Sequence, residues 1–140
     1  MNIFCDTSVL LAAAKSAAGA SRALFDYAPG SGWTLLTSPW ATREAVHNLA
    51  KFEPEVRETW QGLEPKLSVV ADVVSLDRAL AFPVPKDRPI LVTALAWADV
   101  LLTLDRADFI NLLGSSCYGM PIMTPSDYLE RERAAGRLHT

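Results

Sequence analysis

Four stretches of this 140-residue chain place a carboxylate where oxygen-ligand chemistry could be done. Asp6 ends the apolar run Ile3-Phe4-Cys5 and is followed by two hydroxyls, Thr7 and Ser8. Glu44 lies in a helical pattern, three residues before His47 and next to apolar Ala45, so it borders the apolar stripe. Asp87 stands just ahead of Pro89-Ile90-Leu91. Asp105 and Asp108 are three apart in Thr103-Leu104-Asp105-Arg106-Ala107-Asp108-Phe109, a spacing that lets both share one face of a first helical turn. Each acid also has an ordinary structural reading. Asp6, Asp87 and Asp105 suit helix caps, and Glu44 and Asp108 suit solvated surface. Gathered carboxylates repel and raise one another's pKa, a penalty that a bound cation removes. Magnesium takes hard oxygen ligands and usually keeps several waters. Two such ions about 4 Å apart can activate a water and stabilise the leaving oxygen of a phosphodiester. No Walker A loop, zinc motif or Gly-x-Ser-x-Gly elbow competes.

The elements that would position these acids alternate between short apolar runs and helical patterns. Strands are expected at 3–5, 33–37, 99–103 and 121–124, with a short one within 67–74. The run Val100-Leu101-Leu102 is continuously apolar, as in a strand covered on both faces. Helices are expected at 9–14, 21–27, from Ser38-Pro39 onward, from Glu53-Pro54 through Val56 and Trp60, at 90–97, and at 125–135 as a polar terminal helix. Ala41, Ala45, Val46 and Leu49 form the apolar stripe of the third helix. Pro29-Gly30-Ser31-Gly32 reads as a turn, Phe82-Pro83-Val84-Pro85 as a stiff connection, and 105–113 as a short helix or turn. This alternation predicts an α/β fold with a mostly parallel central sheet flanked by helices, in a single domain over 1–140. Ligands of such sheets bind beyond the carboxyl ends of the strands, which singles out Asp6 and Asp105.

Composition narrows the field further. Half of the residues are apolar, enough for a sizeable core. No stretch approaches the ~18 uninterrupted apolar residues of a membrane helix. The start meets an acid at once and reads as a first strand rather than a signal peptide, so a cytoplasmic setting is expected. Cys5 and a loop-borne Cys117 are the only cysteines and read as buried or inert thiols. The net charge of −3 argues against a broad basic surface for duplex DNA. A local basic rim, drawn from Arg43, Arg88 or Arg106, could still guide RNA or simply form surface ion pairs.

The same residues resemble the PIN-domain family of VapC-like, PilT N-terminus-type ribonucleases, over nearly the whole chain. Ile3-Phe4-Cys5-Asp6-Thr7-Ser8-Val9-Leu10 is similar to the family's opening strand and its Asp-Thr/Ser-Ser/Asn signature. The stretch from Ser38 to Leu49 resembles the helix that carries the family's Glu. The Asp87 to Ala94 stretch resembles its Asp-x-Pro-Ile-Leu segment, and the Ala98 to Phe109 stretch the late strand ending in Thr-x-Asp. Pro121-Ile122-Met123-Thr124-Pro125 is similar to its tail. The resemblance implies Asp6, Glu44, Asp87 and Asp105 as catalytic and metal-binding acids, with Asp108 as a fifth metal ligand or a group just behind. It implies Mg2+ or Mn2+ as cofactor, and Thr7 or Thr103 orienting a ligand or water. Family members are often the toxins of bacterial toxin–antitoxin pairs, and they are commonly dimers.

The expected function is therefore a metal-dependent endoribonuclease that hydrolyses single-stranded RNA, with an antitoxin protein and a second copy of the chain as partners and no membrane. A catalytically silent PIN-like module that binds RNA or protein is the alternative. An aspartate-nucleophile phosphatase ranks low, because the second Asp it needs is replaced by Ser8. Asp99 begins its strand, at the wrong end for the site, and reads as structural. His47 reads as a surface residue or one behind the ligands, and His139 as part of a disordered terminus. Trp33, Trp40, Trp60 and Trp97 read as core or interface, with base stacking as the other use of an indole.

Overall fold

A computed structural model describes residues 1–73, 88–105 and 113–140. The elements are strand β1 (Asn2–Cys5), helices α1 (Thr7–Lys15) and α2 (Ala20–Ser31), β2 (Thr34–Thr37), α3 (Pro39–Leu49), α4 (Pro54–Leu63) and β3 (Ser68–Val69). Then come α5 (Arg88–Trp97), β4 (Val100–Leu102), β5 (Ser115–Cys117), β6 (Met120–Met123) and α6 (Pro125–Ala134). The class is α/β, as expected: six strands in the order β3-β2-β1-β4-β6-β5, all parallel except β5, which pairs antiparallel with β6.

Side chains alternate across β1. Ile3 and Cys5 join one apolar cluster with Val9, Leu24, Leu102 and Tyr128, while Phe4 joins the opposite one with Leu36, Ile90, Leu101 and Ile122. Both faces of the sheet are thus covered, which explains the unbroken apolar run of β4. The chain leaves β1 to build β2 and β3 on one side, then returns to lay β4 on the other. This reversal is the topological switch point of the sheet, and it lies between the carboxyl ends of β1 and β4. Cys5 is in register with Leu102, and the Asp6 N–H donates to the Leu102 carbonyl at 3.1 Å. The next residues of the two strands, Asp6 and Thr103, therefore emerge side by side.

Local chemistry sets the helix that brings in Glu44. Ser38 caps α3, its Oγ accepting from the Ala41 N–H at 3.2 Å, and Pro39 takes the first helical position where no N–H is needed. Ala41, Ala45 and Leu49 are buried as expected, but Val46 is 54% exposed. The contact is a strict i, i+4, i+8 seam, too narrow to include it.

Three further expectations are corrected. Pro29 to Ser31 continue α2 instead of forming a turn. The helix ends only at left-handed Gly32 (φ 72°), where the Trp33 N–H reaches the Ala28 carbonyl at 2.9 Å in a Schellman closure. Cys117 lies in β5, held by the hairpin with β6, and not in a loop. His139 is docked: its N–H donates to Ser31 Oγ at 2.9 Å and its carbonyl accepts from the same hydroxyl at 3.0 Å. Gly30 allows this close approach, since a Cβ there would meet the Thr140 carbonyl at 2.5 Å. The terminal helix α6 is polar on one side only, with Tyr128, Leu129 and Glu132 buried. Among the described residues, no helix is long and apolar enough to cross a membrane.

Candidate active site

Asp6 is the centre of a hydroxyl-rich cluster at the switch point. Its backbone is extended (φ −65°, ψ 159°) and its carboxylate is 4% exposed. Oδ1 accepts from the Thr7 N–H at 2.7 Å. Oδ2 accepts from Thr103 Oγ1 at 2.7 Å and from Ser8 Oγ at 3.0 Å. Ser8 Oγ in turn accepts from the Leu104 N–H at 2.9 Å, and Thr103 Oγ1 from the Asp105 N–H at 3.0 Å. The helix-cap and site readings of Asp6 are thus compatible: one oxygen caps α1, and the other is clamped by hydroxyls.

Glu44 reaches the same cluster from α3. Its Oε2 accepts from Thr7 Oγ1 at 3.1 Å, and the same hydroxyl lies 3.1 Å from the Ala41 carbonyl, so one proton is shared between two acceptors. Glu44 is exposed and Asp105 half-buried, so the acids grade outward from Asp6 to solvent. Thr7 lies between Asp6 and Glu44, its N–H bonding one and its hydroxyl the other, and Thr103 bonds the Asp6 carboxylate and the Asp105 backbone N–H. Asp87, Asp108 and Arg106 lie outside the described residues. Asp99 stands at the opposite end of β4, where its Oδ2 accepts from the Asn2 N–H at 2.7 Å, a structural role.

Electrostatics follow from burial. The Asp6 carboxyl is raised above the ordinary carboxylate value, first by desolvation. The bonds from Thr103, Ser8 and the Thr7 N–H oppose the rise, and the charge of Asp105 adds to it. The neighbouring Cys5 thiol is pushed up to about 12 by burial and by the Asp6 charge, so it stays protonated and inert at neutral pH.

The donor set is all oxygen and suits a hard cation. Among the described residues, no group of three or more His, Cys, Asp and Glu is close enough to cage a metal. Magnesium is commonly held by one or two carboxylates with waters completing its shell, and Oδ1 of Asp6, with one hydrogen bond among the described residues, keeps a lone pair for such a ligand. The residues therefore fit an open, water-rich site better than a closed cage.

Two features were not drawn from the sequence. Ser8 locks Asp6 to the β4 side, a role visible only once residue 104 is brought next to it. On α3, Trp40, Arg43, Glu44, His47 and Asn48 line one groove of about 550 Å3. Their spacing of 40, 43, 44, 47 and 48 is one helix face, so this groove was legible in the sequence.

No protein-family model matches the chain, and no curated protein matches it. Among solved structures, one match is a chain of the crystal structure of VapBC2 from Rickettsia felis bound to a DNA fragment from their promoter. It has a TM-score of 0.60 and 12% identity, over 87% of this chain and 97% of that one. At that identity, the likeness is one of fold.

Proposed function

We propose that this chain is a PIN-type, metal-dependent endoribonuclease that hydrolyses phosphodiesters of single-stranded RNA. The observation that carries the reading is Asp6, a buried carboxylate at the sheet's switch point, beside Thr7, whose N–H bonds Asp6 and whose hydroxyl bonds Glu44, and beside Thr103, whose hydroxyl bonds Asp6 and accepts from the Asp105 backbone N–H. A buried acid whose charge is disfavoured by desolvation and by an acidic neighbour suits a site that a cation completes. Asp6, Glu44 and Asp105, with Asp87 by its sequence motif, would hold Mg2+ or Mn2+, and Asp108 is a further candidate ligand. The ion, when bound, supplies an activated water and charge neutralisation at the scissile phosphate. Thr103 and Ser8 fix the Asp6 carboxylate, and Thr7 holds Glu44 towards it.

The test is cleavage of an unstructured RNA by the purified chain with magnesium, with manganese and with EDTA. Metal-dependent cutting that EDTA abolishes is expected, and cutting indifferent to EDTA contradicts the mechanism. The alternative reading is a silent module that binds RNA or protein. The absence of cutting with either metal would select it.

The VapBC2 likeness supports a place in a toxin–antitoxin pair with an antitoxin protein as partner, and a cytoplasmic setting and a homodimer are proposed beside it from the family resemblance of the sequence. Exposed Val46, Val69 and Trp97 give apolar surface for such contacts. Induced expression is expected to arrest growth, and light scattering to give twice the chain's 15.3 kDa. Harmless expression and a monomeric mass at every concentration would contradict these roles.

A further inference from the structure

The groove on α3 beside the candidate site holds an exposed indole, Trp40, and an exposed arginine, Arg43, that the catalytic reading leaves unused. Trp40 stands at its head, 37% exposed, with its backbone N–H anchored to Asp72 Oδ1 at 3.2 Å. Arg43 is exposed and makes no ion pair among the described residues. One turn on, His47 and Asn48 continue the wall, and the Asn48 amide is tied back to the Glu44 carbonyl at 2.8 Å. Glu44 belongs to both places: it lines the groove, and its carboxylate meets Thr7 beside Asp6. The groove therefore borders the candidate site at Glu44. Its volume, about 550 Å3, lies within the range of small-ligand clefts.

We propose that this face is the entry track for an unpaired RNA strand, with Trp40 stacking on a base and Arg43 holding a phosphate next to the one that is cut. The proposal rests on the ribonuclease reading above and names how its substrate is held. An exposed indole is a sequence-tolerant stacking platform for an unstacked base. A paired strand cannot use it, because the bases of an A-form duplex are already stacked inside the helix. One exposed arginine in the groove of a chain of net charge −3 likewise suits one backbone better than the dense charge of a duplex. The groove thus selects unpaired strands by shape and stacking, independently of the metal chemistry.

The test is binding of a fluorescein-labelled unstructured RNA dodecamer, with calcium in place of magnesium, to the wild type and to Trp40→Ala, Trp40→Phe and Arg43→Gln. Trp40→Ala is expected to weaken binding about 5- to 150-fold, the range measured for removal of one base–aromatic stack. Trp40→Phe should restore most of it. Arg43→Gln should lower the slope of log affinity against log salt by about 0.7, the value for one phosphate of a single strand. Failure of the wild type to bind the dodecamer overturns the track. So does wild-type affinity in both Trp40→Ala and Arg43→Gln, even where magnesium-dependent cutting persists. A Trp40→Ala variant that turns a dimer into a monomer by light scattering also overturns it, and assigns the face to a second copy. Binding with the expected losses, but no cutting by the magnesium-loaded wild type, supports the track and removes the hydrolysis.

Discussion

Two buried carboxylates, Asp6 at the end of β1 and Glu132 in α6, have pKa values shifted in opposite directions. Glu132, in α6, is surrounded by its own cations and donors. Its Oε1 accepts from the Tyr128 hydroxyl at 3.2 Å, and its Oε2 accepts from Arg137 Nε at 3.0 Å and from a second Arg137 nitrogen, with Arg131 Nε 3.9 Å away. Burial alone would raise its pKa, but the Arg137 and Tyr128 bonds and the charges of Arg137 and Arg131 carry it below the ordinary value. Asp6 is equally well hydrogen-bonded, yet its described partners are hydroxyls and an amide, and its pKa is raised. Hydrogen bonds position a carboxylate, whereas a cation compensates its charge. Glu132 finds that cation within the chain and pins the C-terminal segment. Asp6 faces outward through Glu44 and Asp105, and the proposal is that its cation comes from solution.

The largest expected effect separates the two in activity. Asp6→Asn should reduce RNA cleavage roughly 10³-fold, the loss of several kcal/mol of transition-state stabilisation, as read in single-turnover assays. Asn caps a helix about as well as Asp, so a mere capping role predicts full activity in this variant. Glu132→Gln should cut RNA at the wild-type rate, and a comparable loss there would dissolve the contrast.

Metal affinity comes next. Thr103→Val removes the hydroxyl that clamps Asp6 Oδ2 and should weaken manganese binding about 10- to 100-fold, as measured by calorimetry. Unchanged affinity would mean that the clamp orients nothing.

Stability should move in opposite directions. Glu132→Gln weakens bonds to a charged partner and should cost about 1–3 kcal/mol in urea unfolding. Metal-free Asp6→Asn should melt above the wild type, because it removes a buried charge with no cation among its described partners. A fall of several degrees would contradict that picture.

The smallest effect is in pH dependence, and its sign follows from linkage. Asp6 binds its proton more tightly folded than unfolded, so the stability advantage of Asp6→Asn should shrink as pH falls through the folded pKa towards the unfolded value, 3.8. Glu132 binds its proton less tightly folded. Its contribution is present above the unfolded value, 4.5, and is lost as pH falls through the lower folded one. Melting curves of both variants from pH 7 down to 3 check the two signs. Parallel pH profiles would mean that the two acids share one kind of environment.

Much of the frame was legible in residues 1–50 and 88–102, where local signals agree with tertiary demands. The apolar run ending at Asp6, the Ser38-Pro39 helix start and the apolar β4 all carry their reasons within a few residues. What was not legible depends on partners remote in sequence. β5 is a strand because β6 pairs with it across a tight turn at Tyr118 and Gly119, both of positive φ. Pro29 and Gly30 read locally as a turn, but α2 runs on to Ser31 and is closed by left-handed Gly32. His139 is ordered by Ser31, 108 residues earlier. In the site, the identities of Asp6, Glu44 and Asp105 were readable as residue types near strand ends and helix faces. The Ser8–Thr103–Asp6 clamp was not, since it spans 95 to 97 residues.

The central claim is that Asp6, unlike Glu132, is the acid that an external cation completes. Titration calorimetry of manganese into the wild type, Asp6→Asn and Glu132→Gln tests it directly. Saturable binding by the wild type and Glu132→Gln, with none by Asp6→Asn, is the predicted result. Equal binding by all three, or none by the wild type at millimolar manganese, would contradict it.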